Sequence, residues 1–224
     1  MTVVFVKIMI SVLKYCRKFS ILIPLLLLMG NAATKTNYAS NISMRKKVCI
    51  IPIGTIDKEI LHNTQKELED RFNVKIDIGR QLEDPAYAYH KQKKQYHSTK
   101  ILKRIHKLGL TGYDRILGIA DVDLYVPERT FVFGEAVIKK KVAVISLTRL
   151  RQEFYDLPED FTLFKKRIII EAVHELGHTY GLRHCTNNKC VMFLSSNVSD
   201  TDQKGAVLCS NCKTNMEEKK TITN

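Results

Sequence analysis

Segments with the apolar pattern of strands alternate with segments of helical spacing over most of the chain. Short apolar runs that end at glycine or polar residues are typical of buried strands, and apolar residues three and four positions apart are typical of helices that bury one face. The predicted strands are residues 47–53, 74–78, 114–120, 131–137 and 141–147. The predicted helices are residues 57–72, 97–108 and 158–180. This order predicts an α/β (α+β) fold, in which helices cover a twisted mixed sheet.

The N-terminal part of the chain, residues 1–33, has a different pattern. Basic residues precede an apolar stretch at 19–29, and the small residues Gly30, Ala32 and Ala33 follow. This pattern predicts a secretory signal peptide that is cleaved near Ala32. The apolar stretch is too short to cross a bilayer, which requires about 20 residues. An uncleaved membrane anchor is the alternative.

The rest of the chain divides into one folded part and two ends. Residues 34–46 are predicted to be a disordered lead-in and residues 217–224 a disordered tail, because both are polar. Residues 47–216 are long enough for one hydrophobic core and too short for two full domains. We therefore expect one domain in an exported protein, periplasmic or secreted, or in a membrane-anchored one, rather than in a cytoplasmic protein.

The run from His174 to His184, HELGHTYGLRH, indicates a metal site. His174 and His178 lie four residues apart on a predicted helix, so both imidazoles can reach one ion. Gly181 can adopt the left-handed conformation that ends a helix, which lets the chain return with His184 as a third ligand. Three imidazoles and an open position predict a catalytic zinc, with Glu175 close to a water in that position. A helix that carries these residues by chance is the alternative, expected in about one chain in 10⁵.

Four cysteines follow the histidines at spacings that suit a second metal ion. Cys185 and Cys190 form a CxxxxC pair, and Cys209 and Cys212 form a CxxC pair. Such short loops let thiolates converge on one tetrahedral zinc ion. Two disulfides are the alternative, which export would favour. Spacing and proximity to the first site favour zinc, so we predict two zinc ions per chain, one catalytic and one structural.

The segments HELGHTYGLRHC, CVMF and CSNC together resemble the archaemetzincins, a branch of the metzincin-type zinc peptidases. That family combines a three-histidine zinc site with four cysteines that hold a structural zinc. The other similar stretches are PIG (52–54), QYHSTKIL (95–102), LGIADVDLYVP (117–127), FVFGEA (131–136) and ISLTRL (145–150). The N-terminal extension departs from the family, whose members generally look cytosolic and lack such a segment.

The resemblance implies a metzincin-like fold and a peptidase activity. Met192 is expected to support the site from a tight turn beneath the zinc-binding imidazoles, and the chain beyond it to form a small Cys-rich zinc subdomain. Glu175 is expected to act as general base in the hydrolysis of a peptide bond by water. The family suggests aminopeptidase action, although the sequence leaves endopeptidase action open. An edge strand is expected to bind the peptide or protein substrate, with Phe131, Val132, Phe133 and Gly134 as candidates.

The excess of basic residues changes this interpretation little. The chain has a formal net charge of +13 at pH 7, and residues 34–224 keep +9 because residues 1–33 hold four Lys or Arg and no acidic residue. Without a nucleic-acid motif the charge indicates a solvated surface, and we expect no specific nucleic-acid partner. A basic nucleic-acid or membrane-surface protein and a zinc-stabilised binding module without catalysis are the alternatives. We expect a monomer, with the N-terminal segment as the candidate for membrane association.

Overall fold

The computed structural model describes residues 47–222; residues 1–46, 223 and 224, which include the predicted targeting segment and lead-in, lie outside that range. The strands are β1 (Lys47–Ile53), β2 (Lys75–Ile78), β3 (Tyr89–His90), β4 (Gln95–His97), β5 (Arg115–Ala120), β6 (Leu124–Val126), β7 (Arg129–Val132), β8 (Gly134–Val137) and β9 (Val142–Ser146). The α-helices are α1 (Lys58–Phe72), α2 (Ser98–His106), α3 (Phe161–Thr179), α4 (Val198–Gln203) and α5 (Ser210–Ile222). Among these described residues, no helix combines the length and the apolar composition needed to cross a lipid bilayer.

The larger of two sheets has the strand order β2-β1-β5-β9-β8. β1 pairs in parallel with β2 and β5, β5 pairs in parallel with β9, and β8 lies antiparallel to β9 at one edge. The predicted mixed sheet is therefore confirmed. Parallel strands that are covered on both faces read as continuous apolar runs, which explains the apolar sequences of β1 and β5, both buried along almost their whole length.

Successive residues of the central strands point into two separate cores. Ile50 and its neighbours on one face pack against α1 and α3. Ile51 and its neighbours on the other face pack against α2. Since α3 lies against β8 and β9, its C-terminal half comes next to the exposed edge of the sheet. This contact positions the histidine run beside the edge strand.

The predicted strand at 131–137 is two strands that belong to different sheets, so that prediction was wrong. β7 ends at Val132 and pairs with β6 in a second, four-stranded sheet of order β3-β4-β6-β7, whereas β8 begins at Gly134 and pairs with β9. The chain changes sheets at Phe133, whose side chain is buried in the core and whose carbonyl accepts a hydrogen bond from the Ser146 amide (2.7 Å). An apolar run shows burial but does not show which neighbour each half pairs with.

The C-terminal region is helical beyond the point where the sequence predicts disorder. α5 continues through Glu217 to Ile222, so residues 217–222 are not an irregular tail. Cys212 and Met216 lie four residues apart on one face of this helix, and both are buried against the core. Glutamate and lysine, which follow, are good helix formers, and the polarity that predicted disorder reflects the solvent-facing side of a helix.

Candidate functional site

The three predicted histidines converge at the C-terminal end of α3. Asp160 begins this helix by accepting a hydrogen bond from the Leu163 amide (2.8 Å). The helix is buried over most of its length. The Nε2 atoms of His174 and His178 lie 3.1 Å apart. A ring nitrogen of His184 lies within 4.8 Å of a ring nitrogen of His174 and of one of His178. The structure therefore places all three imidazoles around one point.

Gly181 turns the chain back towards that point, as its position in the sequence predicts. Its φ is +86°, its amide donates to the His178 carbonyl (2.8 Å), and the Leu182 amide donates to the Gly177 carbonyl (3.2 Å). These two bonds form a Schellman motif, in which glycine is favoured because a side chain strains the backbone at positive φ. The motif ends α3 and directs the following residues, including His184, to the side of His174 and His178.

Backbone carbonyls fix which nitrogen of each helical histidine carries a proton. His174 Nδ1 lies 2.7 Å from the Val191 carbonyl oxygen, and His178 Nδ1 lies 2.8 Å from the Leu182 carbonyl oxygen. A carbonyl can only accept, so both Nδ1 atoms are the donors. In the neutral rings each of the two facing Nε2 atoms then carries a lone pair and no proton, and these two atoms lie 3.1 Å apart. Such a contact is unfavourable unless a cation lies between the nitrogens.

The nitrogen geometry fits zinc. Zn–N bonds of about 2.05 Å in a tetrahedral site separate the nitrogens by about 3.3 Å, close to the observed 3.1 Å. Burial lowers the pKa of His174 well below its usual value, and burial also lowers the pKa values of His178 and His184. The imidazoles are therefore neutral at physiological pH, as ligation of a metal requires.

Glu175 lines the same cleft as the histidines, and one oxygen of its carboxyl group is unsatisfied. Its Oε2 atom is buried and has no hydrogen-bond partner among residues 47–222. Burial raises the pKa of this carboxyl well above its usual value, and the nearby Glu171 carboxylate raises it further. Gly134 of β8 faces it so closely that a Cβ at Gly134 would lie 2.5–2.8 Å from the Glu175 side chain. Glycine is therefore required here to give Glu175 room.

Met192 packs directly beneath the histidine turn. Its side chain is fully buried, and its Sδ lies 2.6 Å from the position that a Cβ on Gly177 would occupy. The Cys185 amide donates to the Met192 carbonyl (2.9 Å), which ties the turn to the chain just after His184. Met192 therefore packs against the helix that carries His174 and His178, and its place under the imidazoles stays a prediction.

The four cysteines of the C-terminal region form a second cluster beside the first. The structure contains Cys185, Cys190, Cys209 and Cys212 as free thiols whose sulfur atoms lie within 4.8 Å of one another. The Sγ atoms of Cys185 and Cys209 are 3.8 Å apart. Zn–S bonds of about 2.3 Å in a tetrahedral site separate the sulfurs by about 3.8 Å, whereas a disulfide requires about 2.05 Å.

Backbone amides around the cluster favour thiolates. The Cys209 amide donates to Cys190 Sγ (3.3 Å), and the Asn187 amide donates to Cys185 Sγ (3.4 Å). A backbone hydrogen bond from Cys212 lowers the pKa of the Cys209 thiol to about 7. Burial raises the pKa of the Cys212 thiol, so a cation is needed to keep that sulfur ionised. The donor set therefore fits a zinc ion bound by sulfur.

A cleft of about 250 Å³ opens onto the histidines and Glu175. The four residues predicted to contact substrate all line it: Phe131, Val132, Phe133 and Gly134. Arg129, Glu171 and Ser195 also line the cleft, and the sequence interpretation missed them. Glu171 could have been found from the sequence, because it lies one helical turn before Glu175 and so on the same face of the helix. Arg129 and Ser195 carry no local signal, because other elements bring them to the cleft.

The chain is similar to known proteins over most of this folded region. Peptidase family M54 matches residues 56–218. The archaemetzincin of Methanocaldococcus jannaschii is 39% identical over 176 residues, which cover 79% of this chain and 96% of that protein. The archaemetzincin of Pyrococcus furiosus is 36% identical over 187 residues, which cover 79% of this chain and 95% of that protein.

Solved structures agree with these relatives. Archaemetzincin from Methanopyrus kandleri superposes with a TM-score of 0.70 at 30% identity and covers 80% of this chain and 98% of its own. Archaemetzincin from Archaeoglobus fulgidus, solved in complex with malonate, superposes with a TM-score of 0.66 at 32% identity and covers 75% of this chain and 99% of its own. A binding module without catalysis is therefore not favoured. The chain belongs to peptidase family M54, the archaemetzincins, and is a zinc-dependent peptidase.

Proposed function

We propose that His174, His178 and His184 hold the catalytic zinc and that Glu175 is the general base. The observation that carries this proposal is the pair of facing Nε2 lone pairs together with Glu175 Oε2, a buried oxygen that has no hydrogen-bond partner among the described residues. When bound, zinc supplies Lewis acidity, which makes water acidic enough to lose a proton near neutral pH and polarises a carbonyl. Glu175 accepts the proton of the attacking water and returns it to the leaving amine. In the metal-free protein, burial raises the pKa of the Glu175 carboxyl, which suits a group that must also donate a proton.

The edge of β8 is the proposed binding site for the substrate backbone. Among the described residues β8 pairs only with β9, so the other side of the strand can pair with an extended peptide. Gly134 lies at the start of β8, directly against Glu175. A peptide that pairs there runs past the general base. Phe131, Val132 and Phe133 line the same cleft and provide apolar contacts for its side chains.

We propose a second, structural zinc at Cys185, Cys190, Cys209 and Cys212, so that each chain binds two ions. The sulfur separation and the amide hydrogen bonds to sulfur support this count. Cys185 follows His184 directly, and Met192 follows Cys190 by two residues. The structural zinc would therefore hold both the third histidine and the methionine turn in place.

For the finer activity we propose aminopeptidase action, which the family resemblance suggests. The test is a library of peptides in matched forms with free and acetylated N-termini, incubated with the purified full chain. We expect N-terminal residues to be released one at a time from the free peptides and the acetylated forms to resist. Internal cleavage of both forms at similar rates would show an endopeptidase instead. Product sequences from the same library give the residue preference.

We also propose that the protein works as a monomer outside the cytoplasm, exported by residues 1–33 or anchored to the membrane through them. Export and a four-thiolate zinc are compatible if zinc binds during folding, because thiolates that ligate a metal are protected from oxidation. Cell fractionation with N-terminal sequencing of the recovered protein tests the location. We expect a processed or membrane-associated form outside the cytoplasm. Recovery only from the cytosol, with residues 1–33 still attached, would refute export.

A further inference from the structure

Lys204, which follows α4, is completely buried and reaches the back of the metal site. Its side chain has 0% exposure, and its Nζ lies 3.1 Å from Glu171 Oε1. The same Nζ donates to the Phe193 carbonyl (3.2 Å) and lies 3.4 Å from His174 Nδ1. A buried ammonium is costly unless a partner neutralises it. Glu171, whose side chain is 3% exposed, is that partner.

Two hydroxyl groups hold the Glu171 carboxylate in place. Its Oε1 accepts from Thr201 Oγ1 (3.0 Å) and from Ser195 Oγ (3.5 Å), in addition to Lys204. Glu171 also lines the cleft, one helical turn before Glu175 and three residues before His174. The pair therefore connects the segment that leads to Cys209 with the helix that carries the histidines.

The contact between Lys204 and His174 is not a hydrogen bond. His174 Nδ1 already donates its proton to the Val191 carbonyl at 2.7 Å, and an ammonium has no lone pair to accept with. Lys204 thus places a positive charge against an imidazole whose other nitrogen faces the metal position. That charge repels a cation, and the repulsion is strong where water is excluded. Glu171 offsets it.

We propose that Glu171 and Lys204 are positioning residues that set, by opposing charges, how tightly His174, His178 and His184 hold zinc. This inference rests on the catalytic zinc site proposed above. Glu171 raises the zinc affinity of the three histidines, and Lys204 lowers it. Removing either charge changes the affinity in a direction that its sign determines.

The test compares Glu171→Gln, Lys204→Met and the double variant in the full chain, with zinc affinity measured by chelator competition. We expect Glu171→Gln to weaken zinc binding on the order of tenfold, within the range for groups that support metal ligands. We expect Lys204→Met to strengthen it by a similar factor, and the double variant to return close to the unmodified protein. The melting temperature of metal-free protein should fall in both single variants, because each leaves one buried charge unpaired.

A second ion pair, which joins α3 to α4, provides the control. Arg167 Nη2 lies 2.6 Å from Asp202 Oδ2, and this arginine is also buried, but it donates to the Leu150 carbonyl instead of approaching a histidine. Asp202→Asn and Arg167→Met should lower the melting temperature without changing zinc affinity. If Lys204→Met does not fold, Glu171→Asp decides, since it keeps the charge and should keep the affinity that Glu171→Gln loses.

The inference fails if the two single variants change zinc affinity in the same direction, or if neither changes it. Equal weakening by both would show a purely structural role. The underlying site is tested separately. If the unmodified protein has no exchangeable zinc, or if His184→Ala retains it with unchanged affinity, the proposed catalytic site is wrong and not only its regulation.

Discussion

Replacing Glu175 by glutamine is expected to remove most of the peptidase activity and to leave both proposed zinc ions bound. Glutamine has the shape of glutamate and fits beside Gly134, where the space is tight. It cannot accept a proton from water, and the loss of general base catalysis typically lowers kcat by about 10²–10⁴-fold. The measurement is turnover of a peptide identified in the library, together with zinc content from elemental analysis.

Glu159→Gln is the matched control for this variant. Glu159 is an exposed carboxylate just before α3, so the same chemical change there should leave turnover and metal content unchanged. Full activity of Glu175→Gln on a verified substrate would show that another group accepts the proton. Loss of zinc together with activity would instead indicate that Glu175 contributes to the binding of the metal.

Replacing Cys209 by serine is expected to release one of the two proposed zinc ions and to destabilise the whole C-terminal region. Structural zinc sites of this kind contribute on the order of 10–16 kcal/mol of apparent binding free energy to folding. Replacing one thiolate removes much of this binding free energy. The chain between Cys185 and Cys190 then loosens, and with it Val191, whose carbonyl fixes the proton of His174. The remaining zinc should therefore bind more weakly.

Elemental analysis and thermal unfolding measure both effects. The unmodified protein should contain two zinc ions, of which a mild chelator removes only one without unfolding, and Cys209→Ser should contain at most one and melt at a lower temperature. Cys49→Ser is the control, because Cys49 lies buried in β1, outside the cluster; its zinc content should stay at two. A single zinc and two disulfides in the unmodified protein would contradict the four-thiolate site.

Most of the larger sheet and its helices could be predicted from the sequence because they depend on local pattern. The predicted first strand coincides with β1, and the predicted helix at 57–72 differs from α1 only by its capping residue Asp57. The convergence of the histidines could be predicted in the same way, because four-residue spacing on a helix and one glycine bring them together. Such features need only a few consecutive residues.

What could not be predicted depends on contacts between distant segments. The short strands β3, β4 and β6 have two or three residues each, too few to produce a periodic signal. The break at Phe133 exists because two different partner strands, β6 and β9, compete for one apolar run. Lys204 can be buried because it pairs with Glu171, which lies 33 positions earlier in the chain. The residues next to Lys204 in the sequence give no sign that this lysine lies in the interior.

The side of β8 that pairs with no strand of residues 47–222 also carries a risk of aggregation. An edge that accepts a peptide strand can accept the same edge of another molecule, and natural sheets limit such pairing with short edges and charged residues. β8 has only four residues and is followed almost at once by Lys139, Lys140 and Lys141. β2, at the opposite edge, is equally short and includes Lys75 and Asp77. Short edges with nearby charges are compatible with the proposed pairing of a brief peptide, and they disfavour pairing between copies of the chain.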